Sequence, residues 1–338
     1  MKALYPYIRQ MIERGETVKS ATVTSGEFTG SRMVWQAEKA DSETRFSGNA
    51  GDGFWEAKRV DLNEISPGCS EVNGTAFFVE IFTKRPRLVI LGGGHVAVPV
   101  CRLGDMLDFE VVVADDRPEF ADPERFKEAG LTVCCDYAEL DANIPNTPNT
   151  YYVIVTRGHV GDEACAAQLL KRHCPYIGMI GSRTKVETTV KKLADRGFTE
   201  RDIKRIHAPI GLKIGAQTPA EIAVSIMGEI IQVKSGSQTM TLDADIGKKL
   251  EEDDIKGVMV TIIDKKGSSP RGVGSRMLVL QDGNIYGSVG GGAIEYRAVA
   301  EAKELSAAKT ETYDLSNRES ASLGMICGGQ VTLLYEPL

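Results

Sequence analysis

Two groups of residues in this sequence have the types and spacing to do chemistry. The first is Gly92-Gly93-Gly94-His95-Val96-Ala97, between a short apolar run and a stretch of helical periodicity. It satisfies G-x-G-x-x-A. In that pattern Gly92 makes the tight turn, Gly94 lets a pyrophosphate approach the backbone, and Ala97 allows close helix–strand packing. The amides of the helix N-terminus then face the phosphate. Asp115 stands about 20 residues on, at the end of the next apolar run, where an acid accepts hydrogen bonds from ribose hydroxyls. A glycine turn needed only for packing reads the same way. Arg117 is first a partner for Asp115 and Asp116, and second a contact for a 2′-phosphate. His95 reads equally as a donor to a phosphate and as a cap on the helix start.

Other polar groups follow later apolar runs: Thr156-Arg157-Gly158-His159 and Gly181-Ser182-Arg183. The C-terminal edges of an open α/β sheet line its ligand crevice, so Arg157, Ser182 and Arg183 are candidates for anion recognition. The alternative for each arginine is a solvated loop side chain. Two glycines in the apolar loop from Pro209 to Thr218, Gly211 and Gly215, suggest backbone close to a ligand or to the sheet.

The second group lies near the end of the chain. Ser268, Ser269 and Arg271 sit in a Gly/Pro loop, and Gly290-Gly291-Gly292 can present consecutive backbone N–H groups as an anion-binding nest. Glu295 follows at helical distance. Cys327 precedes two glycines and an apolar strand, where a thiol near Arg271 gains thiolate character and can serve as a soft metal or sulfur ligand. The alternative for Cys327 is a small buried hydrophobe, which is the reading for the other six cysteines. No Ser-His-Asp signature, H-E-x-x-H, Walker loop or paired acidic motif is present, so nothing resembles a self-sufficient hydrolase.

The elements that must position these groups belong to a globular chain of 338 residues, 42% hydrophobic and 26% charged. A net charge of −7 is a poor match for nucleic acid, which needs a basic face. No run reaches the ~18 apolar residues of a membrane helix. The first residues lack the apolar core of a signal peptide, and the last carry no lipidation box. Seven cysteines without C-x-x-C spacing do not make a disulfide framework or a zinc ribbon. A soluble protein of a reducing cytoplasm is expected.

Between residues 87 and 196 short apolar runs alternate with helical patterns, which predicts a Rossmann-like, doubly wound parallel α/β sheet. The expected strands are 87–91, 110–114, 131–135, 151–155 and 176–180. The expected helices are 96–107, 118–129, 162–172 and 185–196, with a capped helix from Thr218-Pro219-Ala220-Glu221 to Val233 and a linker over 234–237. The flanks look duplicated. Gly30-Ser31-Arg32-Met33 recurs as Gly274-Ser275-Arg276-Met277, a glycine-rich stretch follows each, and each copy ends near a strand with a glutamate, Phe78-Val79-Glu80 and Leu334-Tyr335-Glu336. Three segments are therefore expected: 1–84, a degenerate β-rich unit; 85–236, a nucleotide-binding domain; and 237–338, the intact copy of the first unit.

With these motifs the chain resembles the xanthine dehydrogenase accessory factor family (XdhC/CoxI). The motifs are Gly267-Ser268-Ser269-Pro270-Arg271, Gly290-Gly291-Gly292-Ala293-Ile294-Glu295 and Cys327-Gly328-Gly329. The centre adds Gly93-Gly94-His95-Val96-Ala97, Asp115-Asp116-Arg117-Pro118, Ile180-Gly181-Ser182-Arg183 and Ala208-Pro209-Ile210-Gly211-Leu212. The resemblance implies a chaperone that binds molybdenum cofactor (molybdopterin) and assists its sulfuration and insertion into a xanthine dehydrogenase-type hydroxylase. It also implies a homodimer, and a cysteine desulfurase as a further partner. Cofactor handling then falls to Cys327, with a contact to molybdenum, and to Arg271 and Glu295. Ser268, Ser269, Gly290, Gly291, Gly292, Gly92, Gly94, His95, Ala97, Asp115, Arg157, Ser182 and Arg183 bind. The alternative from the glycine loop and Asp115 is an NAD(P)-dependent oxidoreductase or a dinucleotide-binding regulator.

Overall fold

The computed structural model describes residues 4–37, 44–147, 149–157, 159–236, 239–252, 255–269, 271–314 and 329–338. The chain forms two compact units. One combines Met1–Lys84 with Thr239–Leu338, and the other is Arg85–Gln238.

The N-terminal half of the first unit runs α1 (Leu4–Glu13), β1 (Val18–Val23), β2 (Arg32–Gln36), β3 (Arg45–Ser47), α2 (Asp52–Glu56), α3 (Arg59–Glu64), β4 (Gly68–Val72) and β5 (Thr75–Phe82). Its antiparallel sheet has the order β4-β5-β1-β2-β3.

The second unit carries β6 (Arg87–Leu91), α4 (Ala97–Met106), β7 (Glu110–Asp115), β8 (Leu131–Cys134), α5 (Leu140–Asn143), β9 (Thr150–Ile154), α6 (His159–Leu169), β10 (Tyr176–Met179), α7 (Arg183–Asp195), α8 (Glu200–Ile203), β11 (Ile206–His207) and α9 (Pro219–Gly236). Its six strands are parallel in the order β11-β10-β9-β6-β7-β8. Alternate residues feed opposite faces. Leu88, Ile90, Val111, Val113, Tyr151 and Val153 pack with α4 and α9, while Val89, Leu91, Val112, Ala114, Tyr152 and Ile154 pack with α6 and α7. Burial on both faces explains why these strands are continuous apolar runs. The strand order reverses between β6 and β9, and a ligand crevice opens at such a switch point.

The C-terminal half of the first unit adds β12 (Thr239–Met240), which pairs with β5, then α10 (Ala244–Lys249), β13 (Gly257–Lys266), β14 (Arg276–Leu280), β15 (Ile285–Gly287), α11 (Gly292–Glu304), β16 (Lys309–Asp314) and β17 (Gln330–Pro337). The sheet order β16-β17-β13-β14-β15 repeats that of the N-terminal half element for element. The hairpin bonds repeat as well. Gly30 N–H donates to Val23 and Val23 N–H to Ser31; Gly274 N–H donates to Ile262 and Ile262 N–H to Ser275. Gly30 and Gly274 have φ of 84° and 87°, a left-handed backbone that glycine adopts without strain. The repeated tetrapeptide is therefore the turn into the second strand of each copy. Where the C-terminal copy has the 13-residue α11, the N-terminal copy has only the short α2 and α3.

Each sheet covers its own helices with one face: Met33, Trp35, Phe77 and Val79 in the first copy, Val260, Met277, Val279 and Leu333 in the second. The residues that alternate with these, among them Val34, Phe82, Met259 and Leu278, share a core to which both halves contribute.

Two expected elements differ. Residues 118–129 form turns instead of a helix. Pro118 and Pro123 remove backbone donors, and the segment closes short bonds such as Phe120 to Arg117 and Phe126 to Pro123 while burying Phe126. Lys234, Ser235 and Gly236 complete α9 instead of beginning a linker. Among the described residues no helix is long and apolar enough to cross a membrane.

Candidate functional site

The loop after β6 contains three glycines with three different physical reasons. Gly92 has φ of 108°, and a Cβ there would lie 2.5 Å from the Val155 carbonyl oxygen. It is needed where β6 and β9 leave the sheet side by side. A Cβ on Gly93 would lie 2.0 Å from the carbonyl oxygen of Phe120. Gly94 has ordinary φ, and a Cβ there would meet nothing within 4 Å. Neither conformation nor packing of the described residues asks for glycine at 94. It stands at the head of α4, where free amide donors favour an anion. Ala97 is fully buried, as close helix–strand packing requires.

Asp115 is also fully buried. Its Oδ2 accepts from Gly93 N at 2.7 Å and Arg117 Nη2 at 3.0 Å, and its Oδ1 accepts from Arg117 Nε at 2.9 Å and Arg117 N at 3.0 Å. Burial works against the charge, but the bonds from Arg117 and Gly93 outweigh it and hold the carboxyl below its usual value. The expected ribose acceptor thus spends its lone pairs inside the chain. Arg117 is the partner of Asp115 and Asp116, the first of its two sequence readings. The loop is gripped from its other side too: Arg125 Nε donates to the Gly93 carbonyl at 3.1 Å, and Arg117 stacks on Phe120 at 3.6 Å from the ring centre. Phe120 and Arg125 were not candidates in the sequence. Pro118 and Pro123, on either side of Phe120, were the only signal.

Parallel registry brings the ends of β6, β9 and β10 to one edge, with Leu91 opposite Ile154 and Ile154 opposite Met179. His95, Arg157, Ser182 and Arg183 all follow this edge and are exposed. His95 does not cap α4, whose N-cap is Val96 without a side-chain bond. Ser182 does cap its helix, accepting from Lys185 N at 3.4 Å. Arg157 and Arg183 have no ion-pair partner among the described residues, so their guanidinium groups are available to an anion. Gly211 is explained by packing: its φ is 94° and a Cβ would lie 2.3 Å from Ser225 Oγ on α9.

In the C-terminal copy the expected nest is filled from within. Gly290, Gly291 and Gly292 all have positive φ and lead into α11. Glu295 accepts there from the Ser288 hydroxyl, from Val289 N at 3.1 Å and from Gly290 N at 3.3 Å. Burial raises its pKa, but the bonds from Ser288 and the amides of residues 289–291 outweigh this and leave it below the usual glutamate value. The carboxylate is the anion of this nest, which corrects the expectation of an open site. A folded value below the unfolded one means the stabilisation is present at neutral pH and fades as pH falls through the carboxylate range. Glu295→Gln should lose about 1 kcal/mol at pH 7, with the gap to wild type closing in acid, as followed by thermal unfolding at several pH values.

Ser268 and Arg271 are exposed, and Ser269 Oγ donates to the Arg271 carbonyl at 3.0 Å. A Cβ on Gly329 would lie 2.3 Å from the Ser268 carbonyl oxygen, so this glycine packs on the serine loop. Cys327, Gly328, Pro270 and Gly158 lie outside the described residues.

Sequence reasoning found both halves of one further feature without their pairing. Arg32 Nη2 binds Glu336 at 2.9 and 3.1 Å, and Arg276 binds Glu80. The arginine of each repeated tetrapeptide takes the glutamate of the other copy. All four side chains are at most 3% exposed, and Arg32 Nη2 also lies 3.8 Å from Glu80.

Comparison with known proteins agrees with this architecture. The family described as the XdhC Rossmann domain matches residues 88–230, and the XdhC and CoxI family matches 250–315. The chain is 33% identical over 162 residues to the uncharacterized protein YqeB of Escherichia coli K12, covering 47% of this chain and 29% of that protein. It is 28% identical over 160 residues to a Bacillus subtilis 168 protein named as a probable xanthine dehydrogenase component, covering 47% of this chain and 46% of that one. The chain thus spans less than half the length of either curated relative. A crystal structure of a xanthine dehydrogenase from Bacillus halodurans shares the fold, with a TM-score of 0.53 and 23% identity over 68% of this chain and 63% of that one. Two successive family matches, on a six-stranded parallel domain and on the glycine-rich repeat unit, place this chain in the XdhC and CoxI family.

Proposed function

We propose that the chain is an accessory protein of a xanthine dehydrogenase-type molybdenum hydroxylase, and that it carries molybdenum cofactor as cargo for insertion. The observation that carries this reading is the presence, in one chain, of both parts of the XdhC family, the Rossmann domain and the XdhC and CoxI unit. The name of the Bacillus subtilis relative supports the choice of partner. The cargo ends in a phosphate, and Gly94 supplies open space for one at the head of α4. His95, Arg157 and Arg183 follow the same sheet edge as donors and counter-charges. Cys327 is assigned the sulfur chemistry, with a cysteine desulfurase as the source of sulfur. The glycine loop at the switch point also favours a dinucleotide, but the engaged state of Asp115 weighs against that second reading.

The test is reconstitution. Cofactor-free hydroxylase is incubated with molybdenum cofactor, a cysteine desulfurase, L-cysteine and a thiol reductant, in the presence or absence of the full chain, and recovered activity is measured. Wild type should raise recovery. Cys327→Ala should deliver cofactor that yields inactive, unsulfurated enzyme. If wild type gives no more activity than the same mixture without the chain, the accessory reading fails.

A further inference from the structure

The chemistry of Asp115 narrows the ligand class of the central crevice. A carboxylate has about four lone-pair positions, and all four here receive protein donors: Gly93 N, Arg117 N, Arg117 Nε and Arg117 Nη2, at 2.7 to 3.0 Å. The side chain has no exposed surface. A ribose hydroxyl could reach it only by displacing Arg117, whose guanidinium is fixed a second time over the ring of Phe120, 3.6 Å from its centre. Phe120 in turn presses its carbonyl on Gly93, and Arg125 holds the carbonyl of Gly93. The clamp therefore holds one residue of the loop by its N–H, its carbonyl and the contact at its Cα, and leaves the next residue, Gly94, open.

We propose that Asp115 is a positioning residue for the glycine loop, and that this crevice selects its ligand by a phosphate group without reading a ribose diol. The ligand class is a phosphomonoester whose organic part carries no required cis-diol. The proposal rests on the phosphate subsite at Gly94. It separates two tasks that one acid usually combines: Asp115 fixes where the loop amides point, and discrimination between sugars is absent.

The test uses the full chain and three probes: AMP, 2′,3′-dideoxy-AMP and inorganic pyrophosphate, with affinities from calorimetric titration. AMP and its dideoxy analogue should bind within about twofold of each other, because no hydrogen bond to the diol is lost. Asp115→Asn should weaken both by the same factor, since it disturbs the loop and not a sugar contact. Both titrations are made where circular dichroism shows the variant fully folded, because a reduced folded fraction would by itself weaken both probes equally. A preference for AMP of about tenfold or more in wild type, or a loss on Asp115→Asn confined to AMP, overturns the proposal. The wild-type comparison stands even if the variant does not fold. Should none of the three probes bind while adenosine does, the phosphate subsite itself is wrong, and that failure is distinguishable from a failure of the clamp.

Discussion

Arg32→Met should cost the first unit about 3–5 kcal/mol. Removing the guanidinium leaves the Glu336 carboxylate buried, without its partner and fully hidden from water. Burial already pushes that carboxyl upward, and Arg32 is the main group opposing the push. The double variant Arg32→Met with Glu336→Leu should recover most of the loss, because the desolvation cost of both charges disappears together. Arg276→Met should behave alike through Glu80. Both tryptophans, Trp35 and Trp55, are buried in the first unit, so denaturant unfolding followed by their fluorescence reports on that unit alone. Losses that simply add in the double variant would show that the two charges are not coupled.

Gly93→Ala should destabilise the second unit by about 3 kcal/mol, while Gly94→Ala, one residue away, should change it by less than about 1 kcal/mol. The new methyl at 93 meets a backbone oxygen at 2.0 Å, so residues 117–125 must move and the Asp115 bond to the loop is lost. The methyl at 94 meets nothing, and its φ needs no glycine. Hydrogen exchange over residues 88–134 measures the difference in this unit directly. Equal effects at the two positions would contradict the assignment of separate reasons to the two glycines.

How far the sequence revealed these sites depended on whether the cause was local. The strands at 87–91 and 110–114 were legible because burial on both faces demands uninterrupted branched and apolar residues. The repeat was legible because Gly30 and Gly274 serve the same left-handed turn. The helix expected at 118–129 failed because its polarity pattern ignored Pro118 and Pro123 and the close packing of the Phe120 carbonyl against Gly93, a contact between distant positions. Asp115 was correctly placed at a strand end, but its saturation depends on a guanidinium folding back two residues. The nest at 290–292 was visible as glycines, and its occupant Glu295 was visible as a neighbour. Only the helix geometry shows that one fills the other. The crosswise pairing of Arg32 and Arg276 with Glu336 and Glu80 was beyond the sequence, since pairing within each copy uses the same residues.

Cofactor carriage is measured most simply as the pterin and molybdenum retained after molybdenum cofactor is incubated with wild type and Gly94→Ala and then desalted. Wild type should retain cofactor, and Gly94→Ala should lose about tenfold in affinity at an unchanged melting temperature, because the methyl enters the space proposed for the phosphate. Equal retention by the two proteins, or none by wild type, would contradict cofactor carriage at this loop.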